Sequence, residues 1–403
     1  MIDDTVVPPR SEPAAPAGLS LAKLLLRFLK IGAIGFGGGM ANIGLMEREL
    51  VRKDRVLDAD EFLHGVGLAQ LLGPFATNTA LFVGYRLYGI VGGLACAAAF
   101  MTPSVALVIV LSWVYFRFHA IPAMQGAIGG LGPVVIALIA AAAWSMAGNA
   151  VRTRLAGVLA LLALGLSLLK LNPAFILAAA GTAGLVLGKT RLGGPSARPP
   201  ARRAEPGEPR SPRHMALGLG VGPAAAAAVG GVSLATLAWT FLKVGFIFFG
   251  GGFVLVPILN RHLVSSLGWL TPQEFLDGVA ISNLTPGPIA VLATFAGSHL
   301  DGVAGALTAT VALFAPALAL MTVLSRGYTR FKGDQRVREA LAGIGPAVVG
   351  LVAGAIVPLA PGAIHGWAGL ALAAAALLLL VRRLWHPAAV LAVGAVAGVI
   401  GWV

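Results

Sequence analysis

The chain has 403 residues, of which 58% are apolar and only 11% charged, and its formal net charge is +13. A soluble protein of this length carries about 25% charged residues, so an ordinary globular domain is excluded. Apolar runs of about twenty residues, such as 90–113 and 366–381, are long enough to cross a bilayer as helices, and the chain reads as an all-α polytopic membrane protein whose first partner is lipid.

The excess of Lys and Arg is better explained by cytoplasmic loops than by nucleic acid, because such loops collect basic residues. The single cysteine, Cys96, excludes an internal disulfide and a dithiol redox centre. The seven histidines show no metal-ligand spacing. No metal or cofactor is implied.

In chain order, residues 1–18 carry Asp3, Asp4 and Glu12 and no apolar core, so they read as a disordered tail and not as a signal peptide. The first repeat runs from 19 to 188. It opens with FLKIGAIGFGGG at 28–39. Each glycine costs a helix interior about 0.8–1 kcal/mol relative to alanine, so Gly37-Gly38-Gly39 marks a break and not a continuous span. Glu47 and Glu49, flanking Arg48, read as a solvated helix end. Asp58 followed by Glu61 reads as a capping box that starts a helix ending at Gly73-Pro74. Asn78 and Arg86 lie on a second half-length helix beyond that stop. Fourteen residues reach about 21 Å, short of a ~30 Å core, so the pair reads as a re-entrant hairpin with its tip near the midplane. Spans follow at 90–116, 121–147, 154–170 and 173–188.

A basic, Pro/Gly-rich linker occupies 189–232, and its composition places it in the cytoplasm. From 233 to 403 the pattern returns at a shift of 213 residues. Lys30 meets Lys243, Gly37–Gly39 meet Gly250, Gly251 and Gly252, Glu61-Phe62-Leu63 meet Glu274-Phe275-Leu276, and Pro103 meets Pro316. Gly73-Pro74 meets Gly287-Pro288 after a slip of one residue. Thr271, Pro272 and Glu274 make the second capping box, with proline at the first helical position. Matching loops carry opposite basic bias: 48–55 is rich in Lys and Arg where 261–268 is not, and 326–338 is basic where 117–121 is not. Equivalent spans therefore run in opposite directions. The expected fold is an inverted repeat of about five spans plus one hairpin per half, with both termini periplasmic.

In such a repeat both sets of broken helices converge on one midplane site. A helix broken in the membrane presents free N–H groups and a positive dipole end to an anion. The candidate anion site is Lys30, Gly37–Gly39, Gln70, Gly73, Pro74 and Asn78 with Lys243, Gly250–Gly252, Asn283, Thr285, Pro286, Gly287 and Pro288. Arg86, its counterpart His299, Glu47 and the intramembrane acid Asp277 are candidates for secondary or coupling roles. Bland readings stand beside these. The glycines can serve close helix packing, Lys30 can snorkel, Gln70 and Asn283 can cap helix ends, and Asp277 can hold a structural hydrogen bond.

The run F-L-K-x-G…F-G-G-G, then E-F-L at 61–63, Q-L-L-G-P at 70–74 and V-G-Y-R at 83–86 resembles the bacterial chromate ion transporter family. The second half, with E-F-L-D-G at 274–278 and N-L-T-P-G-P at 283–288, resembles the C-terminal half of the same family. The likeness covers nearly the whole chain. It departs at the first tip, where Leu72-Gly73-Pro74 stands for the usual P-G-P. It implies a secondary transporter exporting chromate, with sulfate as the similar anion, across the bacterial inner membrane. A passive anion channel, a carrier of another oxyanion and a homodimer stay open. No P-loop is present and no catalytic constellation is duplicated or clustered, so an enzyme is not expected.

Overall fold

Among the described residues, helix-breaking residues divide each half of the chain into seven helical segments in the same order. The computed structural model describes residues 19–36, 38–70, 72–118, 121–187, 232–248, 252–326 and 335–402. The tail at 1–18 and nearly all of the linker lie outside them. The first half contains α1 (Leu21–Ile34), α2 (Gly38–Met46, running on as a wider π turn through Lys53), α3 (Ala59–Gln70), α4 (Phe75–Phe118), α5 (Pro122–Ala150), α6 (Arg154–Leu168) and α7 (Pro173–Leu187). The second contains α8 (Leu234–Ile247), α9 (Gly252–Ser266), α10 (Pro272–Leu284), α11 (Ile289–Arg326), α12 (Gln335–Ala363), α13 (Gly366–Val381) and α14 (Pro387–Val399). The opening turn of α9 is 3-10 and its last two turns are π. All regular structure among the described residues is helical.

The breaks fall where the glycines are. α1 stops at Ile34 with Gly35 as its cap, and α2 starts at Gly38. α8 stops at Ile247, and helix resumes at Gly252. Each hairpin is a short helix (α3, α10), a Gly-Pro tip, and the first stretch of a long helix (α4, α11). Both long helices kink at matching places, Tyr88-Gly89 and Asp301-Gly302, with the glycines at φ +65° and +53°. Glycine adopts that left-handed conformation without steric penalty. The kink separates each hairpin arm from the long apolar stretch that follows it.

Among the described residues, four helical stretches, 75–118, 122–150, 289–326 and 342–363, are long and apolar enough to cross a membrane, and shorter apolar helices accompany them. The shorter helices α6, α7, α13 and α14 have 13 to 16 residues. At 1.5 Å per residue they reach about 20–24 Å, less than the hydrocarbon thickness.

Packing is reciprocal between the halves. α5 lies against α13 and α14, the last two helices of the second half, and α12 lies against α6 and α7, the last two of the first. α4 packs on α11, and α5 on α12. Small residues allow the crossings, as expected where van der Waals contact drives helix association in lipid. A Cβ at Gly32 would overlap the Phe100 carbonyl oxygen, and one at its counterpart Gly245 would overlap that of Leu313. The same helix pair, α1 with α4 and α8 with α11, is thus built twice.

One local expectation changes. The Thr271–Glu274 capping box is complete, but its counterpart at Asp58 is not. The Asp58 carboxylate accepts from the Asp60 N–H, at 3.1 Å, and not from the Glu61 N–H, while Glu61 is drawn away into an ion pair with Arg86. An arginine within reach competes for the carboxylate more strongly than a neutral backbone N–H does.

Candidate functional site

The breaks and the tips meet across the joint of the two halves. The Gly73 N–H donates to the Phe248 carbonyl at 3.1 Å, and the Gly287 N–H donates to the Gly35 carbonyl at 3.0 Å. Residues 35 and 248 are counterparts in the repeat, and so are 73 and 287. The two bonds are one contact made twice: each hairpin tip is fastened to the glycine break of the other half. The first tip, though it lacks the leading proline, makes the same bond as the second. The tips differ in backbone, since Gly287 has φ +104°, and the Pro286 carbonyl accepts a hydrogen bond from Ser104 Oγ.

A cavity of about 280 Å³ lies at this joint. Its wall contains the starts of four helical segments: Gly38 and Gly39 of α2, Phe75 and Ala76 of α4, Gly252 and Phe253 of α9, Ile289 and Ala290 of α11. Both tips contribute, through Gly73-Pro74 and Gly287-Pro288, and Ser282, Asn283 and Thr285 come from the end of α10. Leu138 and Met146 of α5, Phe248, and Pro387 at the head of α14 complete it. None of the described lining residues carries a charge.

The chemistry follows from this wall. The first turn of a helix has backbone N–H groups with no intrahelical acceptor, and the aligned peptide dipoles place about half a positive charge there. Four such ends around one cavity favour an anion although no cationic side chain is present among the described lining residues. The polar side chains in the wall turn donors onto their own helix. Ser282 Oγ donates to the Gly278 carbonyl at 2.7 Å, Asn283 Nδ2 to Val279 at 2.8 Å, and Thr285 Oγ1 to Ser282 at 3.0 Å. Main-chain N–H groups and the second N–H of the Asn283 amide are therefore the donors left to face an anion. The volume accommodates a small oxyanion with several waters, each of which takes about 30 Å³ in the liquid.

The structure brings Gly38, Gly39, Gly73, Pro74, Gly252, Asn283, Thr285, Gly287 and Pro288 to this cavity. Gly37, Gly250 and Gly251 lie outside the described residues. Lys30 and Lys243 are exposed on their helices and do not line it; Lys243 Nζ sits 5.8 Å from the Trp239 ring centroid. Gln70 is also exposed, with Nε2 3.8 Å from Met40 Sδ. Asn78 is fully buried one turn into α4, and neither its amide oxygen nor its nitrogen has a hydrogen-bond partner. Pro286 stands at the tip without lining the cavity.

The secondary candidates go elsewhere. Arg86 pairs with Glu61, the His299 ring packs on Phe116 with centroids 4.4 Å apart, and Glu47 pairs with Arg52 at 2.9 Å. Glu49 is not a solvated helix end. It is 7% exposed and belongs to a cluster with Arg27, Arg48 and Lys53, while Arg27 also holds Asp54 at 2.9 Å. Burial pushes the Glu49 carboxyl up, but the hydrogen bond and charge of Lys53, with Lys30 and Arg27, outweigh it and leave the group below the ordinary carboxylate range. Asp277 is buried, 1% exposed, and accepts from the Tyr115 hydroxyl at 2.7 Å and from Gln273 Nε2 at 3.0 Å.

Sequence reasoning missed Ser282, Phe248, Leu138, Met146 and Pro387 as wall residues. Phe248 is the counterpart of Gly35, so the repeat itself carried that signal. The others come from α5, α10 and α14; Leu138 and Pro387 match Leu351 and Pro173 in the other half, whereas Ser282 and Met146 have no matching residue type there.

A duplicated helical membrane protein, with broken helices from both halves around one cavity, is of the transporter class. Residues 22–185 and 235–401 match the chromate transporter family, and the chain belongs to that family. It is 34% identical to the chromate transport protein of Cupriavidus metallidurans, over 91% of this chain and 90% of that one. It is 32% identical to a probable chromate transport protein of Synechococcus elongatus, over 95% and 96%. An uncharacterized transporter of Bacillus subtilis is 32% identical across 91% of its own length but only 39% of this chain. No solved structure matches.

Proposed function

We propose that this protein exports chromate, a tetrahedral oxyanion resembling sulfate, from the cytoplasm across the bacterial inner membrane by binding it in the joint cavity. The observation that carries this reading is the convergence of four helix starts on a cavity whose described wall holds no charged side chain. Family membership supplies the choice of chromate among oxyanions. Inverted halves, a cytoplasmic linker and periplasmic termini agree with the opposite basic bias of matching loops.

Export is a secondary process in this reading. A membrane potential does about 2.3 kcal/mol of work per charge per 100 mV, so an inside-negative potential drives a dianion outward with about 4.6 kcal/mol per 100 mV. A pore lined by dipoles and not by lysines holds the anion weakly enough to release it, which conduction requires.

Chromate uptake into inside-out vesicles, with excess sulfate as competitor, tests the reading. Uptake driven by an imposed potential, competed by sulfate and lost in Gly39→Val or Gly252→Val, is the expected result. Absence of chromate and sulfate flux under any gradient overturns it.

A further inference from the structure

A second cavity, of about 370 Å³, lies on the other end of α10. Tyr115 of α4, Gln125 of α5, Gln273 and Asp277 of α10, and His365 beyond α12 line it. One rigid helix thus touches both cavities. Its first turns carry Gln273 and Asp277, and its last carries Ser282 and Asn283, with Thr285 just beyond. Five to eight residues separate Asp277 from those groups, about 8–12 Å along the axis.

Asp277 has no basic partner in an ion pair among the described residues. A buried carboxylate without a counter-ion is costly, and in practice such a group takes up a proton or meets a cation. Its two neighbours turn O–H and N–H hydrogens toward it. That is the wrong polarity for a metal cation's shell and suits a carboxyl that alternates between charged and protonated. The other titratable groups around it are Tyr115 itself, Glu274 on the same helix and His365, with His299 of α11 in electrostatic reach of Glu274. The first half offers no equivalent acid, because the counterpart of Asp277 is His64.

We propose that Asp277 is a proton site linked to the oxyanion site, so that a proton on Asp277 and an oxyanion in the joint cavity favour each other's binding. The linkage rests on the oxyanion reading above. A charged Asp277 repels a dianion held further along α10, and protonation removes that repulsion. The effect is reciprocal by thermodynamic necessity: oxyanion binding must draw in protons to the same extent.

The test is equilibrium binding of labelled sulfate and selenate to the purified full chain in lipid nanodiscs between pH 5.5 and 8.5. Both probes stay dianionic across that range, so the protein alone supplies the pH dependence. The expected result is an affinity that falls about tenfold as pH rises, the size expected for a charge about 10 Å from a dianion at an effective dielectric of about 50, between protein interior and water. Asp277→Asn should bind with the acid-side affinity at every pH, and Asp277→Glu should restore a pH dependence. His299→Gln and His365→Gln should keep the wild-type profile. Sulfate added to wild-type protein in weak buffer should cause proton uptake, a readout that needs no variant.

Three outcomes overturn the proton site while leaving the oxyanion reading standing. These are an unchanged pH profile in Asp277→Asn, a profile abolished by a histidine variant, or an affinity set by sodium and not by pH. No binding of sulfate, selenate or chromate at any pH overturns the oxyanion reading and the linkage with it.

Discussion

The two halves share a backbone and differ in their charges. Broken helices, kinks and tip-to-break hydrogen bonds occur in both. The ion pairs differ: Arg27 with Glu49 and Asp54, and Arg86 with Glu61, belong to the first half. The second half instead buries Asp277 against Tyr115 and joins Thr294 to Thr310 through their hydroxyls at 2.7 Å. What is duplicated is main chain around one cavity. What is not duplicated is side-chain chemistry away from it. A cavity made from peptide dipoles survives divergence of side chains, since only the glycine and proline positions must be kept.

The sharpest way to break the comparison is at the tips. A Cβ at Gly73 would overlap the Phe248 carbonyl, and one at Gly287 would overlap Ser104 Oγ. Overpacking costs about 1–3 kcal/mol, and Gly287 adds the strain of a positive φ. Both Gly73→Ala and Gly287→Ala should abolish vesicle uptake of chromate, and Gly287→Ala should lose more thermal stability. Activity retained in one variant would show that the tips are not equivalent in function.

A smaller effect is expected where the halves differ. Thr271→Ala removes the cap of α10 and should cost about 1 kcal/mol, read as a lowered melting temperature. Asp58→Ala should cost less, because the box there is incomplete.

The Glu49 cluster gives a pH test of the first half alone. A carboxyl held below its unfolded value adds stability that is complete above that value and is lost as pH falls through the folded one. The melting-temperature gap between wild type and Glu49→Gln should be full at pH 7 and close below about pH 4, near the ordinary glutamate range. A gap that persists in stronger acid would mean that Glu49 acts through packing. Smallest of all should be Lys30→Ala and Lys243→Ala. These exposed residues should change sulfate affinity by less than about twofold, since the cavity is lined without them.

Much of this architecture was legible because punctuation in a chain is local. Glycine runs, Gly-Pro stops and the Thr271–Glu274 box act within a few residues, and the shift of 213 exposed their duplication. The wall of the cavity was only half legible. Gly73 and Gly287 announced themselves, but Leu138, Met146 and Pro387 arrive by helix packing between halves, which no short pattern records. Lys30 and Lys243 shared a place in the repeat yet point away from the cavity, because the face of α1 and α8 that packs inward is that of Phe28 and Phe241. Glu49 looked solvated because its neighbours are charged; those neighbours are what make its burial tolerable. Tyr115 lies 162 residues from Asp277, and nothing near either one marks the pair.

The crossed pair of bonds, Gly73 to Phe248 and Gly287 to Gly35, sets a rule of assembly. A polypeptide carrying one half holds a tip with a donor and a break with an acceptor, and the reciprocal contact brings each to its partner on a second half. Two separate halves would form the cavity only by meeting, at a rate and occupancy set by their abundance in the membrane. Tethering them in one chain replaces that abundance with a fixed effective concentration. It also frees each half to drift apart in sequence, since neither needs to recognise a copy of itself. The ion pairs of the first half and the buried Asp277 of the second are an asymmetry that a fused pair can keep.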